Sequence, residues 1–90
     1  MRLKWDDKDP NEVLDYQIDW ATRLDGDVIA NSDWTVPSGL VEGSSSNTTS
    51  TTTVWLSGGT DGDDYEVQNR ITTTGGRTMD QTVKLRVRTK

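Results

Sequence analysis

NRITTTGGRTMDQTVKLRVR, residues 69–88, consists of two stretches in which apolar and polar side chains alternate, separated by two glycines. Such alternation is typical of strands with one buried face, so the two stretches predict an antiparallel hairpin. Directly opposed residues must share a face, and the apolar sets therefore meet only across a loop with an odd number of residues. We predict a three-residue loop of Thr74, Gly75 and Gly76, with glycine at the third position, where a left-handed backbone is required.

This loop fixes the register of the whole hairpin. On the inward face it pairs Ile71 with Met79, Asn69 with Gln81, Val67 with Val83 and Tyr65 with Leu85. On the outward face, which played no part in choosing the loop, it pairs Arg70 with Asp80, Glu66 with Lys84 and Asp64 with Arg86. Three pairs of opposite charge support this register, although each contributes at most about 1 kcal/mol on an exposed sheet.

The rest of the chain has the composition and the turn-forming residues of a β protein. Threonine occurs 14 times and glycine eight times, and alternating stretches are separated by Gly, Pro and Asp signals. Residues 15–24 predict a half-buried strand whose inward face carries Tyr16, Ile18, Trp20, Thr22 and Leu24. Residues 28–36 predict a second strand with a polar interruption, ended by Pro37, from which Trp34 and Val36 point inward.

Residues 44–53, SSSNTTSTTT, are low in complexity. We expect an exposed strand preceded by a loop, because threonine is β-branched and the tract continues into Val54, Trp55 and Leu56. The alternative is a disordered linker. As an exposed strand, the tract is also the sheet edge best suited to recruit a partner strand.

Tyr65 follows a glycine-rich segment, LSGGTDGDD at residues 56–64. In immunoglobulin-like sandwiches a tyrosine at such a crossing between sheets hydrogen-bonds back to the backbone. We predict this role for Tyr65, with an ordinary half-buried strand tyrosine as the alternative. Together these features predict one all-β domain over residues 1–90, an immunoglobulin-like antiparallel β-sandwich of about seven strands. Residues 1–12 are expected to form a partly extended acidic segment of that domain.

Composition excludes several classes of function. The net charge is −5, and residues 1–27 contain eight acidic and four basic side chains, which argues against nucleic acid as a partner. Without cysteine or histidine the chain has no disulfides, no thiolate chemistry and no imidazole base. No apolar stretch approaches the roughly 18 residues of a membrane helix and the N-terminus lacks a signal peptide, so we expect a soluble protein without a membrane partner.

Carboxylates are the remaining candidates for catalysis or metal binding. They cluster as Asp6, Asp7 and Asp9 and again as Asp61, Asp63 and Asp64. We interpret both clusters as solvated turns, since neither has the ligand order of an EF-hand; calcium binding is the alternative. We predict no cofactor, no metal and no catalytic residue, because a thin sandwich has little room for the partly apolar cleft that a carboxylate general acid needs.

The four tryptophans divide into two groups. Trp20 and Trp34 have neighbours that mark their faces as inward, so we assign both to the core. Trp55 lies between two apolar residues, and if these face the core then Trp55 faces outward, where interfaces are enriched in tryptophan. Trp5 lies in a charged segment before the first regular strand. The predicted interface residues are Trp5, Trp55 and the basic outward residues Lys84, Arg86 and Arg88.

Five motifs, taken together in their order, are similar to those of one known family. They are KDPNEVLDY (8–16), IDW (18–20), WTVPSGL (34–40), TTVWLSGGT (52–60) and NRITTTGGRTMDQTVKLRV (69–87). They resemble short proteins encoded among the structural genes of tailed bacteriophages and described as fibre-tail adaptors or small virion structural proteins. The resemblance implies a non-enzymatic virion component, made in the host cytoplasm, that joins or decorates other phage structural proteins. It also implies several copies in the virion, and thus a homo-oligomer there.

Other functions stay open at this point. An exposed tryptophan also suits a carbohydrate-binding module, which predicts that polysaccharide quenches tryptophan fluorescence, whereas an adaptor predicts no quenching. A calcium-dependent adhesion domain is a further alternative. Within the structural class, decoration of the capsid and a position in the tail predict the same sequence features.

Overall fold

The computed structural model describes residues 3–90. Within that range the chain forms seven strands and one turn of α-helix, and no helix is long and apolar enough to cross a membrane. In chain order the elements are β1 (Leu3–Lys4), β2 (Leu14–Asp19), α1 (Ala21–Leu24), β3 (Ile29–Thr35), β4 (Leu40–Asn47), β5 (Thr51–Gly58), β6 (Asp64–Thr73) and β7 (Thr78–Arg86).

The strands form two sheets that pack face to face. Hydrogen bonding orders the first sheet as β1-β7-β6-β3 and the second as β2-β5-β4. Neighbours within the sheets are antiparallel except β1, which runs parallel to β7. The predicted all-β sandwich of about seven strands is therefore confirmed.

The β6–β7 hairpin has the predicted loop and register. All seven predicted pairs are formed, from Asp64 opposite Arg86 to Ile71 opposite Met79. Gly76, at the third loop position, has a φ of +88°, in the left-handed region that glycine adopts without steric cost. On the outward face Arg70 and Asp80 form a bidentate ion pair, with Nε–Oδ1 at 2.7 Å and Nη2–Oδ2 at 3.0 Å.

The core lies between the sheets and is filled by inward side chains of both. Val54 and Leu56 of β5 belong to one cluster with Val67 of β6 and Leu85 of β7, and none of the four has exposed surface. Buried and exposed residues alternate along β6 through most of its length. The alternation that predicted the hairpin is thus the alternation that builds the core.

A buried hydrogen-bond network joins the two sheets. The Trp20 indole Nε1 donates to Thr52 Oγ1 and to Asn69 Oδ1, both at 3.1 Å, and Thr52 Oγ1 donates to Asn69 Oδ1 at 2.7 Å. The Asn69 amide nitrogen in turn donates to Ser32 Oγ and to the carbonyl oxygen of Asp33, both at 3.0 Å. Because buried polar groups are costly unless paired, this network favours one alignment of the two sheets.

The predicted strand at residues 15–24 is wrong in its second half. β2 ends at Asp19, whose carboxylate accepts a hydrogen bond at 2.9 Å from the first N–H of α1. Trp20 and Leu24 are buried as predicted, but Thr22 is exposed. A spacing of four residues keeps two side chains on the same side of a helical turn as well as of a strand, so the apolar pattern did not distinguish the two.

The threonine-rich tract at residues 44–53 does not form one exposed strand. Its first four residues end β4, residues 48–50 form a turn, and its last three begin β5. Thr52 is fully buried, because its hydroxyl belongs to the network that joins the sheets. Only the β4 part of the tract lies on a sheet edge, since β5 is the central strand of its sheet.

Tyr65 has the predicted role at the crossing from β5 to β6. Its hydroxyl accepts a hydrogen bond from the Thr60 N–H at 2.9 Å. Gly39 lies against the tyrosine ring, where an added Cβ would come within 2.9 Å of it, and the φ of Gly39 is +105°. The close approach and the backbone conformation both require glycine at this position.

The acidic N-terminal segment, described from residue 3 onward, runs along β7. β1 pairs with β7, and Lys8 forms an isolated parallel bridge with Val87. Lys8 is fully buried, and its Nζ donates to the carbonyl oxygens of Asp9 at 2.8 Å and Gly58 at 2.7 Å. Burial lowers the pKa of Lys8, and the two carbonyl contacts compensate part of the lost hydration.

Candidate functional site

The outer face of the β2-β5-β4 sheet carries an apolar patch. In the described chain, the large hydrophobic residues that stand exposed are Val13 (61%), Val41 (58%) and Trp55 (42%). All three lie on the outer side of this sheet. We call this surface the Trp55 face, and it consists of the outward residues Val13, Asp15, Gln17, Val41, Thr53, Trp55 and Ser57.

The sheet register brings these side chains together. Trp55 is opposite Asp15 of β2, and Ser57, two residues further along β5, is opposite Val41 of β4. Val13 directly precedes β2, and the alternation of that strand places it on the outer side. Opposed residues are about 5 Å apart and diagonal ones about 7–8 Å, so the three hydrophobic side chains form a single patch.

Trp55 is exposed because both of its neighbours are buried. Val54 and Leu56 have no exposed surface, and the residue between two inward strand residues must point outward. A β-bulge in β4 includes Gly43, where an added Cβ would come within 3.3 Å of the Trp55 Cβ. The missing side chain at Gly43 leaves the indole uncovered on its β4 side.

The Trp55 face is acidic and carries no base. Residues 24–69 contain no Lys or Arg, and neither does β2. Asp15 and Asp19 are exposed on this side of the sheet, whereas Glu42, which is also exposed, is opposite the buried Leu56 and therefore lies on the other side of β4. Within residues 3–90, none of these three carboxylates forms an ion pair.

β4 is also a free edge of this sheet. It is hydrogen-bonded to β5 on one side, and no strand in the described part of the chain pairs with its other side. Its residues are exposed from Val41 to Asn47. An edge strand of this kind presents main-chain N–H and C=O groups that a partner strand can pair with.

Trp5 is placed differently from Trp55. Its ring is half-buried and packs against both core clusters, with ring centroids 4.7 Å from Tyr16 and 6.1 Å from Trp34. Its Nε1 donates to the carbonyl oxygen of Gln17 at 3.2 Å. Trp5 therefore attaches the N-terminal segment to β2, and only part of its ring is available to a partner.

The predicted basic residues near the C-terminus are exposed, but acids of the same chain accompany them. Lys84 Nζ lies 3.6 Å and Arg86 Nε lies 3.8 Å from the carboxylate of Asp64. Arg88 Nη1 lies 4.0 Å from the Asp7 carboxylate. These residues lie on the four-stranded sheet or just beyond it, so the structure does not bring them together with the Trp55 face.

Val13 and Val41 were not predicted as part of this surface. Each is a single valine beside a residue that points into the core, Leu14 in one case and Leu40 in the other. The signal that could have found them is the alternation of the two strands, which turns the neighbour of an inward leucine outward.

Across residues 3–90, no group of three or more acidic side chains is arranged to hold a metal ion. A groove of about 380 Å³ beside Trp5 is lined by Asp6, Asp7, Asp15 and Tyr16 and also by the base Lys90. Burial raises the pKa of Tyr16 to about 12, so its hydroxyl stays neutral at physiological pH.

Comparison with known proteins gives a family for this chain. The profile of a family described as "Podophage GP4 fiber-tail adaptor protein gp77" matches residues 8–86. No curated protein matches the sequence. The matched segment contains all strands from β2 to β7 and the whole Trp55 face. The chain therefore belongs to the podophage fibre-tail adaptor family, whose members are structural components of the phage tail.

Proposed function

We propose that this protein joins other virion proteins through surface contacts and catalyses no reaction. The observation that carries the proposal is the Trp55 face, where three exposed hydrophobic side chains share one side of a sheet. Such a patch is unfavourable in water and favourable once a partner covers it. Tryptophan is also among the residues that contribute most to binding in protein interfaces.

The β4 edge adds main-chain hydrogen bonds to the same contact. A partner strand laid along residues 41–47 would extend the sheet and lie beside Val41 of the Trp55 face. This edge replaces the prediction that the whole threonine-rich tract recruits a partner, because Thr51, Thr52 and Thr53 belong to a central strand.

The carboxylates of the described chain support a non-enzymatic role. Hydrogen bonds lower the pKa of Asp9, Glu12, Asp27 and Asp80. A carboxyl that acts as a general acid needs the opposite shift, toward neutral pH. The chain also has no histidine and no cysteine that could replace them.

We also propose that the sandwich is immunoglobulin-like. If β2 to β7 correspond to strands B to G, one sheet contains B, E and D and the other contains C, F and G. Immunoglobulin constant domains divide these strands in the same way, except that here the first strand pairs with G. The Tyr65 hydrogen bond at the start of β6, the equivalent of strand F, supports the assignment.

Several copies in the virion are part of the proposal. A 90-residue adaptor occupies many equivalent positions at low genetic cost when its copies are arranged symmetrically. Each copy would then use its Trp55 face toward the same kind of partner.

Sizing the purified protein alone, and with each tail and fibre protein of the same phage, tests the proposal. We expect a stable complex with at least one of these proteins. A chain that stays monomeric in every mixture would contradict it.

Tryptophan fluorescence separates an adaptor from a carbohydrate-binding module. Surface polysaccharide of the host should leave the emission unchanged if the protein is an adaptor. Saturable quenching that Trp55→Ala abolishes would instead assign the Trp55 face to carbohydrate binding.

A further inference from the structure

The two outer faces of the sandwich differ in how their charges are compensated. On the four-stranded sheet, Arg70 is paired with Asp80 at 2.7 Å, and Lys84 and Arg86 share the carboxylate of Asp64 at 3.6 and 3.8 Å. Bases and acids of the same chain thus neutralise one another on that face. A partner gains little from binding there, because each contact would have to replace an existing ion pair.

The Trp55 face has acids without bases. Asp15 and Asp19 are exposed on the outer side of β2 beside the apolar patch, and they form no ion pair in the described range 3–90. β2, β4 and β5 contain no base, and Lys90, which lines a groove with Asp15 at the β2 edge, is already paired with Glu12 at 3.1 Å. The field over the patch is therefore negative and selects a partner of opposite charge.

A second copy of the chain does not fit this face. Symmetric contact of the Trp55 face with itself would bring Asp15 and Asp19 of both copies together, and like charges at an interface are repulsive. Contact with the four-stranded face of another copy would offer bases that Asp64 and Asp80 already hold, together with Lys4, which lies opposite Lys84. That face therefore supplies little uncompensated positive charge to the rim of the patch.

We propose that the Trp55 face binds a different virion protein, through a surface with an aliphatic or aromatic centre and Lys or Arg at its rim. The inference rests on the proposed adaptor function and names the chemistry of the partner. Val13, Val41 and Trp55 cover the apolar centre of that partner, and Asp15 and Asp19 pair with its bases. The β4 edge lies along one side of the contact.

Surface plasmon resonance with each purified tail and fibre protein of the same phage, at 50 and 300 mM NaCl, tests the inference. Asp15→Lys and Asp19→Lys should each weaken binding to the partner by about 10-fold or more at low salt and should reduce the salt dependence. Trp55→Ala should weaken binding by about 30-fold at both salt concentrations.

Asp33→Lys is the matched control, because it makes the same charge change on the outer face of the four-stranded sheet, where Asp33 is opposite Arg70. It should change affinity by less than about 2-fold. Circular dichroism and the melting temperature establish that each variant is folded before binding is compared.

The outcomes separate the inference from the proposed function. If the wild-type protein binds a tail or fibre protein but Asp15→Lys and Asp19→Lys bind as tightly as Asp33→Lys, the inference is wrong and the adaptor function stands. If the wild type binds none of them, both fail. If the protein alone sediments as a dimer that Trp55→Ala dissociates, the occupant of the face is a second copy and the inference is overturned.

Discussion

We expect Tyr65→Phe to destabilise the protein and Tyr16→Phe to leave its stability unchanged or raise it. The two tyrosines are equally buried, each 8% exposed, and they belong to the same core cluster. The Tyr65 hydroxyl accepts the hydrogen bond from Thr60, whereas the Tyr16 hydroxyl is buried without a partner in the described chain. Both substitutions remove one hydroxyl and nothing else, so the difference between them isolates the value of the hydrogen bond.

The size of the effect follows from what each hydroxyl contacts. Tyr65→Phe leaves the Thr60 N–H without its acceptor and should lower the free energy of unfolding by about 1–2 kcal/mol. For a domain of this length the melting temperature should fall by roughly 5–10 °C. Tyr16→Phe breaks no hydrogen bond and relieves the cost of burying an unpaired hydroxyl, so stability should rise by up to about 1 kcal/mol.

Urea unfolding at pH 7, followed by tryptophan fluorescence and by circular dichroism, measures the difference. The denaturant slope should be the same in the wild type and both variants, because neither change alters the surface exposed on unfolding. An equal loss of stability in the two variants, or no loss in Tyr65→Phe, would show that the hydrogen bond at the crossing does not hold the sheets together.

Two further predictions concern other buried groups and use the same unfolding assay. Burial raises the pKa of Tyr16 to about 12, so the unfolded chain releases this proton at a lower pH than the folded protein does. The wild type should therefore lose more stability than Tyr16→Phe between pH 10 and 12. Parallel plots of stability against pH for the two proteins would contradict this prediction. Asn69→Ala should lower the free energy of unfolding by about 3 kcal/mol, because it removes the acceptor of Trp20 and Thr52 and leaves a cavity. The control is Gln81→Ala, because Gln81 is opposite Asn69 and partly exposed; it should lower the free energy of unfolding by less than about 1 kcal/mol. Equal losses of stability in Asn69→Ala and Gln81→Ala would contradict a stabilising role of the buried network.

The parts of the fold that were predicted correctly are those with redundant local signals. In the β6–β7 hairpin, the parity of the apolar residues, the position of Gly76 and three outward charge pairs all require the same register. A loop one residue shorter or longer would have separated the apolar pairs, moved Gly76 from the third loop position and separated the charge pairs. The role of Tyr65 was predictable for a similar reason, because a glycine-rich crossing and an inward strand face flank it.

The predictions from sequence were wrong where one apolar pattern fits both a strand and a helical turn, and where contacts between distant residues determine which side chains are buried. Trp20 and Leu24 are four residues apart, a spacing that serves a strand and a helical turn equally. The burial of Thr52 depends on Asn69, 17 residues later, and on Trp20, 32 residues earlier. No local feature of a serine- and threonine-rich tract indicates such distant partners.

The candidate site was predicted only in part, because a surface depends on sheet topology as well as on strand alternation. Alternation alone placed Trp55 outward, and the structure agrees. Whether Val13 and Val41 lie beside it depends on β2 and β4 both pairing with β5, which no short segment specifies. Trp5 looked exposed in its charged context, but the parallel course of the N-terminal segment along β7 turns its ring toward Tyr16.

The two sheets differ in whether outward or inward side chains set the register of their strands, and this difference explains why the Trp55 face lies on the three-stranded sheet. In the β6–β7 hairpin the outward positions help to set the register, since Arg70 and Asp80 oppose each other there and a change to either weakens the hairpin. In the three-stranded sheet the alignment is supported from inside, by Thr52 and its partners in the buried network. The outward residues of β2, β4 and β5 therefore contribute little to the register of this sheet. A large apolar side chain at such a position, as Trp55 is, can be covered by the proposed partner without any change to the register of the sheet.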